Sequence, residues 1–596
     1  MGAKSLITPI LVLSLLPSFG QTSCTRCKAY PGTTSWPTVE TWGQLNDTVA
    51  GRLMRPVPPG SVCHAEQPFY DEEQCIKVAQ QWSVYEFHVQ DPISVMWDVY
   101  SNNTCLPDPR VPCSGDGYPS YVINATRPEH VKAGVDFARE NNIRLIVKST
   151  GHDFLGRSIA PGSLSIWVHH LNKIEHHPNK FVLAGSGKII PVDAVTVGGG
   201  AQMYDIYTAT ASRNRTIVGG GGKSVGISGY ITGGGHSVLA PRYGLAADNV
   251  LQMEIVIPNG DIITVNEDQN SDLFWALRGG GGSTFGVITS ITLQTHPSPS
   301  ILSVSWAAIT SSEASFALDF VTYLMSQLPY LSDSGFSGYN RVSKNTPSPV
   351  NIPGGPENIT GIYGNLILQD VHDVNAVESI LRPINETIHQ RWGLAAFMFQ
   401  QATQYDSFLD WFEDHYDRGS AGGQGYMGSR LFDKHSLTDD TASLKNALSP
   451  ILDKHGGFNP FLVIGKGVQE AIPRGGSNAA NPALRTSYIH SLFVQAFPPF
   501  NPTAEAEIIE SFHESLQILK DITPSGGTYL NEAFPYEREW QQAFWGRNYK
   551  RLSQIKRAVD PDDVFWCLPC IAYDRWEETS NGRLCRAEHK VREICD

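Results

Sequence analysis

The sequence is poor in basic residues, and the deficit excludes one class of partner. Its 596 residues include 45 Lys and Arg against 59 Asp and Glu, a formal net charge of −14. Nucleic-acid binding requires a basic face, and no local cluster of Lys and Arg supplies one. Beyond the N-terminus, no apolar run approaches the ~20 residues that a membrane span requires. We therefore predict no nucleic-acid partner and no membrane segment.

The first 20 residues have the pattern of a secretory signal peptide. Lys4 is followed by a mostly apolar stretch over residues 6–16, which is too short to cross a bilayer. Ser18-Phe19-Gly20 then supplies small residues around a cleavage point. The pattern predicts a secreted protein, or one delivered to the lumen of the secretory pathway, a vesicle or a vacuole.

Cysteine is absent between Cys113 and Cys567. The ten cysteines lie near the two ends of the chain, at positions 24, 27, 63, 75, 105, 113, 567, 570, 585 and 595. In a secreted chain this even number predicts disulfides that tie the terminal segments, although the two Cys-x-x-Cys pairs are also zinc-type half-sites. The pairing is not deducible from the sequence. Six Asn-x-Ser/Thr sequons are compatible with a glycoprotein: Asn46, Asn102, Asn124, Asn214, Asn358 and Asn385.

Helical and strand-like patterns alternate from about residue 118, which predicts an α+β fold. Pro128 opens a helix that ends at Asn141-Asn142, and a strand follows over residues 143–147. The clearest hairpin joins residues 253–257 to 262–265 through Pro258-Asn259-Gly260. Further predicted elements are helices over residues 73–86, 311–327, 504–519 and 548–559, and strands over 164–168, 194–197 and 461–464.

Three glycine-containing motifs bear possible chemistry. The first, residues 148–158, follows a strand and presents Ser, Thr and Gly groups suited to phosphate oxygens. Its His152 is a candidate nucleophile, ligand or acid/base, or simply a partner in the turn. The second, residues 218–236, contains Gly-Lys-Ser but has Ile217 where a P-loop needs glycine, which excludes that motif. It also lacks the Rossmann arrangement. The third covers residues 275–289.

Taken in order, the motifs resemble the FAD-binding domain of the vanillyl-alcohol oxidase and p-cresol methylhydroxylase (PCMH-type) superfamily, particularly the fungal berberine-bridge-like oxygen-dependent FAD-linked oxidoreductases. The resemblance spans residues 118–298 and resumes at residues 548–552 and 560–566. It implies an α+β fold with a PCMH-type FAD-binding domain of two subdomains, and a substrate domain with an antiparallel sheet covered by helices. The implied divisions are a signal peptide (1–20), a disulfide-rich segment (21–117), the FAD-binding domain (118–298), the substrate-binding domain (299–540), a berberine-bridge-like FAD-contacting segment (541–575) and a stapled tail (576–596).

The resemblance also implies which residues contact FAD, and it implies no metal site. His152 matches the histidine that relatives bond to the flavin 8α-methyl. Gly222 stands where many relatives carry a cysteine that forms a second bond to the flavin. We therefore predict that the flavin is bonded to His152 alone. Tyr230 replaces a histidine that is common in the family, which leaves the contacts of the ribityl region open. The implied cofactor-binding residues are Ser149, Thr150, Gly151, His152, Asp153, Gly156, Ser158, Gly222, Ser224, Gly229, Gly234, His236, Gly286, Val287 and Asn548.

The candidate catalytic residues are Tyr529, Asn531 and Glu532, which match the family's Tyr-x-Asn-Tyr except that the second aromatic is a carboxylate. A base must reach the substrate proton and have a suitable pKa. Tyrosine needs its pKa lowered by a cation, whereas burial raises the pKa of glutamate. The resemblance favours Tyr529 as the base. Glu532 is the second candidate, and its alternative is simply to face solvent without a catalytic role.

These residues predict a secreted FAD-dependent oxidase that transfers hydride from an alcohol or amine-type C–H bond to flavin. O2 is the expected acceptor, giving H2O2, and fungal secondary metabolism is the expected setting. An FAD-dependent dehydrogenase or oxidative cyclase is the alternative within this class. A non-catalytic secreted glycoprotein that binds a surface ligand is the alternative outside it. The expected partners are a small-molecule substrate and O2, and no oligomeric state is predicted.

Overall fold

The computed structural model describes residues 27–350 and 355–587. The predicted signal peptide, Cys24 and Cys595 lie outside these ranges. Within them, no helix combines the length and apolar character needed to cross a bilayer.

The N-terminal half of the chain contributes a four-stranded sheet of order β1-β2-β4-β3, in which β2, β4 and β3 run parallel. Pro128 begins α4, whose Val131, Val135 and Ala138 are buried against the sheet, and Asn141 caps its end. The elements are α1 (Val39–Thr48), β1 (Leu53–Met54), α2 (Glu72–Gln81), α3 (Tyr85–Gln90), β2 (Tyr121–Asn124), α4 (Pro128–Glu140), β3 (Leu145–Lys148) and β4 (Leu164–Trp167).

A second sheet, antiparallel and of order β11-β10-β12-β8-β5, follows. Gly260 turns the β10–β11 hairpin with a φ of 89°, a conformation that glycine adopts without strain. The elements are β5 (Ile174–His177), β6 (Phe181–Val182), β7 (Ile189–Ile190), β8 (Ala194–Gly198), α5 (Met203–Ala211), β9 (Arg215–Thr216), α6 (Ile227–Thr232), α7 (Ala240–Tyr243), β10 (Val250–Val256), β11 (Ile262–Asn266), α8 (Ser271–Leu277), β12 (Val287–Gln294) and β13 (His296–Pro297).

The third sheet is antiparallel, with seven strands in the order β17-β14-β16-β15-β19-β20-β18. Helices α9, α10, α13 and α15 bury their apolar stripes on it, and β14 is buried over almost its whole length. The elements are β14 (Ile301–Ser311), α9 (Ala317–Asp333), β15 (Ser337–Pro347), β16 (Asn358–Gln369), α10 (Val374–Trp392), β17 (Ala396–Tyr405), α11 (Phe408–His415), β18 (Gly425–Asp433), α12 (Lys434–Thr438), α13 (Thr441–His455), β19 (Gly457–Phe461), α14 (Lys466–Gln469), β20 (Ser487–Ala496) and α15 (Pro502–Ile522).

The C-terminal segment returns to the first half of the chain. Its elements are α16 (Trp540–Trp545), α17 (Tyr549–Val559), β21 (Trp576–Glu578) and β22 (Leu584–Arg586). The buried Lys556 ammonium donates to the carbonyls of Thr284 and Phe565 at 2.8 and 2.7 Å and to Asp560 at 2.6 Å. These bonds fix α17 against the third glycine motif.

Four disulfides join the eight cysteines of the described ranges, and the prediction of disulfides is confirmed there. The pairs are Cys27–Cys585, Cys63–Cys75, Cys105–Cys113 and Cys567–Cys570. Both members of the Cys567-x-x-Cys570 pair are bonded to each other, and Cys27 is bonded to Cys585 near the opposite end of the chain. The bridges therefore leave these thiols no role as zinc ligands.

The α+β prediction is confirmed, and three element boundaries are corrected. The helix predicted over residues 311–327 instead begins at Ala317, because β14 continues to Ser311, and it runs through Pro329 to Asp333. The strand predicted over residues 461–464 is displaced, because β19 covers Gly457–Phe461 and only Phe461 lies in both ranges. The helix predicted over residues 73–86 is divided into α2 and α3, since the indole of Trp82 turns inward to bond Asp98.

Opening the Cys27–Cys585 bridge by replacing both cysteines with serine is expected to destabilise the protein by about 2–4 kcal/mol. The bridge joins positions 558 residues apart and restricts the unfolded chain strongly. The matched control, Cys63→Ser with Cys75→Ser, opens a bridge across 12 residues and should cost less. Calorimetric thermal unfolding measures the loss of stability in each variant. A larger loss in the Cys63→Ser, Cys75→Ser control than in the Cys27–Cys585 variant would contradict the prediction.

Candidate active site

A cavity of about 680 Å³ lies where the glycine motifs meet the seven-stranded sheet. It brings together three segments that are distant in the sequence: the loop after β3, the ribbon around α6, and the residues that precede α16. The predicted residues that line it are Ser149, Thr150, Gly151, His152, Asp153, Ser158, Gly222, Gly229, His236, Tyr529, Asn531 and Glu532.

A second cavity of about 90 Å³ extends from the first. The two cavities share Ser149, Asp153, Arg157, Ser158 and Gly229. The predicted Gly286 and Val287 line the smaller one, together with residues that the sequence did not single out: Val147, Val168, Ser228, Thr232, Leu277, Gly281, Gly282, Ser283, Phe285 and Ile288. The combined shape is an extended crevice between the first two sheets that widens beside the third.

Four predicted residues line neither cavity. Ser224 contacts His152, and Asn548 donates through Nδ2 to the carbonyl of Ala480 at 3.0 Å. Gly156 has a φ of 73° and packs against the ring of Tyr100. Gly234 has a φ of 114° just after α6.

His152 occupies the loop directly after β3, where its half-buried imidazole lines the cavity. Its Nε2 lies 2.7 Å from Oγ of Ser224, and the ring of Tyr85 packs edge-on with centroids 4.7 Å apart. Burial, reinforced by Lys148 and His88, lowers the pKa of His152 to about 3. The imidazole is therefore neutral at physiological pH, with one nitrogen occupied by Ser224.

Arg157, which the sequence reading did not single out, connects the three cavity-lining segments. Its Nη2 bonds Oδ1 of Asp153 at 2.5 Å and Oδ1 of Asn531 at 3.0 Å, while Nδ2 of Asn531 donates to the carbonyl of Gly229 at 3.0 Å. Asn531 thus connects the loop after β3 to the ribbon at Gly229. The spacing of Arg157 four residues after Asp153 was an available signal for a pair in this loop.

Two polar atoms of residues that line the crevice are left without partners after this network is complete. Nη1 of Arg157 and Oγ of Ser149 are buried and have no hydrogen-bond partner among residues 27–350 and 355–587. Buried donors without partners are rare in folded proteins because each costs free energy. A guanidinium and a hydroxyl in an extended crevice match the oxygens of a dinucleotide cofactor, so the residues present fit FAD.

Glu532 is held between two histidines. Its Oε1 lies 3.1 Å from Nε2 of His236, and its Oε2 lies 2.7 Å from Nε2 of the fully buried His490. Burial alone would raise the pKa of Glu532, but the charges and hydrogen bonds of the two imidazoles outweigh it and hold the pKa well below its usual range. The carboxylate is accordingly ionised where it faces the cavity.

Tyr529 lies beside this cluster and is almost fully buried. Burial, followed by the charge of Glu532, raises its pKa well above the usual value. The phenol therefore stays protonated, with Nδ2 of Asn531 at 3.3 Å from its oxygen. The ligand atoms of His236, His490 and Glu532 lie within 4.8 Å of one another, a spacing that a metal ion would also accept, but both carboxylate oxygens already accept from an imidazole.

The remaining cavity wall comes from segments without a motif. Tyr85 and Trp97 belong to the N-terminal segment, Tyr339 and Phe461 belong to β15 and β19, and Asp417 follows α11. Only the tertiary fold brings these residues together, which is why sequence reasoning missed them.

Comparisons with known proteins agree with this geometry. A family model described as an FAD binding domain matches residues 119–266, and one described as berberine and berberine like matches residues 528–571. The FAD-linked oxidoreductase apf9 of Gibberella fujikuroi is 32% identical over 604 residues, covering 97% of this chain and 99% of that protein. The VAO-type flavoprotein oxidase VAO615 of Thermothelomyces thermophilus is 32% identical over 573 residues, covering 94% and 95%.

Solved structures extend the comparison to the fold. The VAO-type flavoprotein MtVAO615 from Myceliophthora thermophila matches with a TM-score of 0.83 and 30% identity, covering 94% of this chain and all of that one. The glucooligosaccharide oxidase from Acremonium strictum, whose FAD is described as 6-S-cysteinyl and 8α-N1-histidyl, matches with a TM-score of 0.60 and 17% identity, covering 76% and 92%. The second likeness is one of fold alone.

Replacing Arg157 by alanine is expected to lower the free energy of unfolding by about 3–5 kcal/mol, because Asp153 would be left as an unpaired charge in a largely buried position. The matched control is Arg538→Ala, which removes an exposed pair with Glu510 and should cost less than about 1 kcal/mol. Chemical denaturation of both variants measures the difference, and equal losses would contradict a buried role for Arg157.

Proposed function

Because this chain belongs to the family of FAD-linked oxidoreductases with berberine-like C-terminal segments, we propose that it is an FAD-dependent oxidase acting on a small molecule. The predicted resemblance, fold class and oxidoreductase class are confirmed. The proposal itself is that hydride leaves an alcohol or amine-type C–H bond and that O2 is the final acceptor. The observation that carries it is the ionised carboxylate of Glu532 facing the same cavity as His152.

FAD, when bound, supplies the hydride acceptor and is reoxidised by O2 with release of H2O2. The protein supplies position and charge. Ser149 and Arg157 would meet cofactor oxygens with their unpartnered donors, and Gly281 and Gly286 would line the narrow part of the crevice.

His152 is proposed as the single covalent attachment point for the flavin. A bond to the 8α-methyl requires an unprotonated nitrogen, and burial keeps the imidazole neutral. Since Ser224 occupies Nε2, Nδ1 is the nitrogen left for the bond. Gly222 stands where a cysteinyl link would need sulfur, and no described cysteine lines the cavity. A single tether follows.

Glu532 is proposed as the acceptor of the substrate proton. An acceptor must be deprotonated and must reach the substrate, and Glu532 is ionised on the cavity wall. Tyr529 is a weaker candidate because its raised pKa leaves it protonated, so it is suited to donate a hydrogen bond to the substrate. His490, buried behind Glu532, orients the carboxylate.

Export from the cytosol is part of the proposal. Four disulfides among the described residues are typical of proteins that mature in an oxidising compartment. Of the six sequon asparagines, Asn102, Asn214 and Asn358 are exposed and therefore accessible to glycosylation. A role in fungal secondary metabolism is the proposed setting.

The tether is tested by acid precipitation of the purified protein and by mass spectrometry of its peptides. We expect yellow colour to stay with the chain and flavin mass to appear on the peptide containing His152. His152→Ala should hold FAD only noncovalently, and Ser224→Ala should lower the covalent fraction because the imidazole loses its orientation. Ser212→Ala, an exposed serine, is the matched control. A colourless wild-type protein would instead favour a binding module.

The base is tested in a screen of alcohols and amines for peroxide release, followed by stopped-flow reduction of the flavin with an active compound. Glu532→Gln should slow reduction by ~10²–10⁴-fold, whereas Tyr529→Phe should slow it less. A near-normal rate in Glu532→Gln would contradict the assignment. Strict dependence on an artificial electron acceptor would contradict the oxidase and favour a dehydrogenase.

The pH dependence of that rate provides a separate test. Glu532 accepts a proton only when ionised, and its pKa lies below the ordinary ~4.3. The rate of flavin reduction should therefore stay near its neutral-pH value when the pH falls to ~4.3, the ordinary pKa of glutamate. His490→Gln removes one hydrogen bond that lowers this pKa, so loss of rate should begin at a higher pH than in the wild type. If His490→Gln and the wild type lose rate at the same acidic pH, His490 does not influence the pKa of Glu532.

A further inference from the structure

Carboxylates outnumber lysine and arginine side chains on the cavity wall. Histidines and tyrosines apart, the ionisable side chains there are the carboxylates of Asp153, Asp417 and Glu532 and the guanidinium of Arg157. Arg157 is already paired with Asp153. Two carboxylates therefore face the space without a lysine or arginine partner in the described part of the chain.

Asp417 is positioned firmly on this wall. Its backbone N–H donates to the carbonyl of Gly221 at 2.9 Å, which holds it against the glycine ribbon. Its Oδ1 accepts from the N–H of Gly419 at 2.8 Å. Its Oδ2 has no partner in residues 27–350 and 355–587, and the residue is exposed and lines the cavity.

The nearest cations do not neutralise Asp417. Lys223 lies between the rings of Tyr204 and Tyr416, with its Nζ at 4.4 and 4.0 Å from their centroids. Arg418 stacks on the same Tyr416 at 4.8 Å. Both cationic groups are held on aromatic faces outside the cavity wall, so the carboxylate of Asp417 stays available.

Aromatic side chains line the same cavity as Asp417, and the hydroxyl of Tyr85 and the carboxylate of Asp417 both approach Gly419. Tyr85, Trp97, Tyr339 and Phe461 line the cavity, and the rings of Tyr339 and Phe461 meet edge-on with centroids 4.8 Å apart. The negative faces of aromatic rings attract cations, and together with a carboxylate they form the kind of enclosure that binds alkylammonium groups. An anionic ligand would be repelled by the same wall.

We propose that Asp417 and the aromatic side chains around it form a subsite for a protonated amine, so that the substrate of this enzyme is an aromatic or aliphatic amine-bearing molecule. The inference rests on the proposed function, since it assigns the substrate class of the same cavity. The ammonium group binds at Asp417, while the carbon that loses hydride lies toward Glu532. Of the alcohol and amine classes left open by the sequence, the charge of the cavity favours molecules that carry basic nitrogen.

Three phenols that differ in charge test the subsite: tyramine, neutral 4-propylphenol and anionic 3-(4-hydroxyphenyl)propionate. Titration calorimetry on the purified holoenzyme at neutral pH gives their dissociation constants without requiring turnover. We expect tyramine to bind at least ~10-fold more tightly than 4-propylphenol, and the anion to bind most weakly. Asp417→Asn should reduce the preference for tyramine to within about threefold.

The control is Asp406→Asn, which makes the same change at an exposed carboxylate outside the cavity and should keep the preference. No preference for the cation in the wild type, no binding of tyramine at millimolar concentration, or an unchanged preference in Asp417→Asn would each overturn the subsite. Flavin content and peroxide release are measured separately on the same preparations. A yellow, peroxide-producing enzyme without cation preference refutes this inference alone, whereas a protein without flavin refutes the proposed function.

Discussion

The ion pair of Arg157 and Asp153 is the contact on which the crevice depends. Through Asn531 it joins the loop after β3 to the ribbon at Gly229 and to the segment before α16. A pair with so little exposure is stable only when the remaining hydrogen bonds are satisfied. One guanidinium nitrogen has no partner in the described part of the chain, so the pair that organises the site also leaves a donor for a ligand.

Charge is distributed unevenly along the crevice, and the distribution matches two different occupants. The guanidinium of Arg157, paired with Asp153, and the hydroxyl of Ser149 lie where the two cavities meet, and their hydrogen-bond donors match the oxygens of a dinucleotide. The carboxylates of Asp417 and Glu532 face only the larger cavity. Under the proposed function, a bound cofactor would meet hydrogen-bond donors at the junction, and a cationic substrate would meet carboxylates in the larger cavity.

Local sequence patterns predicted the elements whose signals are local. Pro128 and Asn141 delimit α4 because capping and proline geometry act within a few residues. The Asn259-Gly260 turn predicted its hairpin for the same reason. The motifs also identified His152 and Glu532. They did not identify His490 or Asp417, whose positions beside the cavity follow from the order of strands in the third sheet and from the contact of residue 417 with Gly221.

Glycine density was a partial guide to the site, and the structure explains why. A Cβ at Gly233 would collide with the side chain of Asn531, and one at Gly226 would collide with Ser149. These glycines allow protein segments to approach each other, whereas a Cβ at Gly229 would meet open space. Glycines that contact protein therefore set the crevice walls, and only those facing the cavities admit a ligand. Gly222 combines both roles, because it leaves the wall without a sulfur while Asp417 lies opposite it. Under the proposed function, the absence of a cysteine at position 222 leaves the flavin with one covalent bond, and the neighbouring Asp417 contributes the charge that the substrate meets.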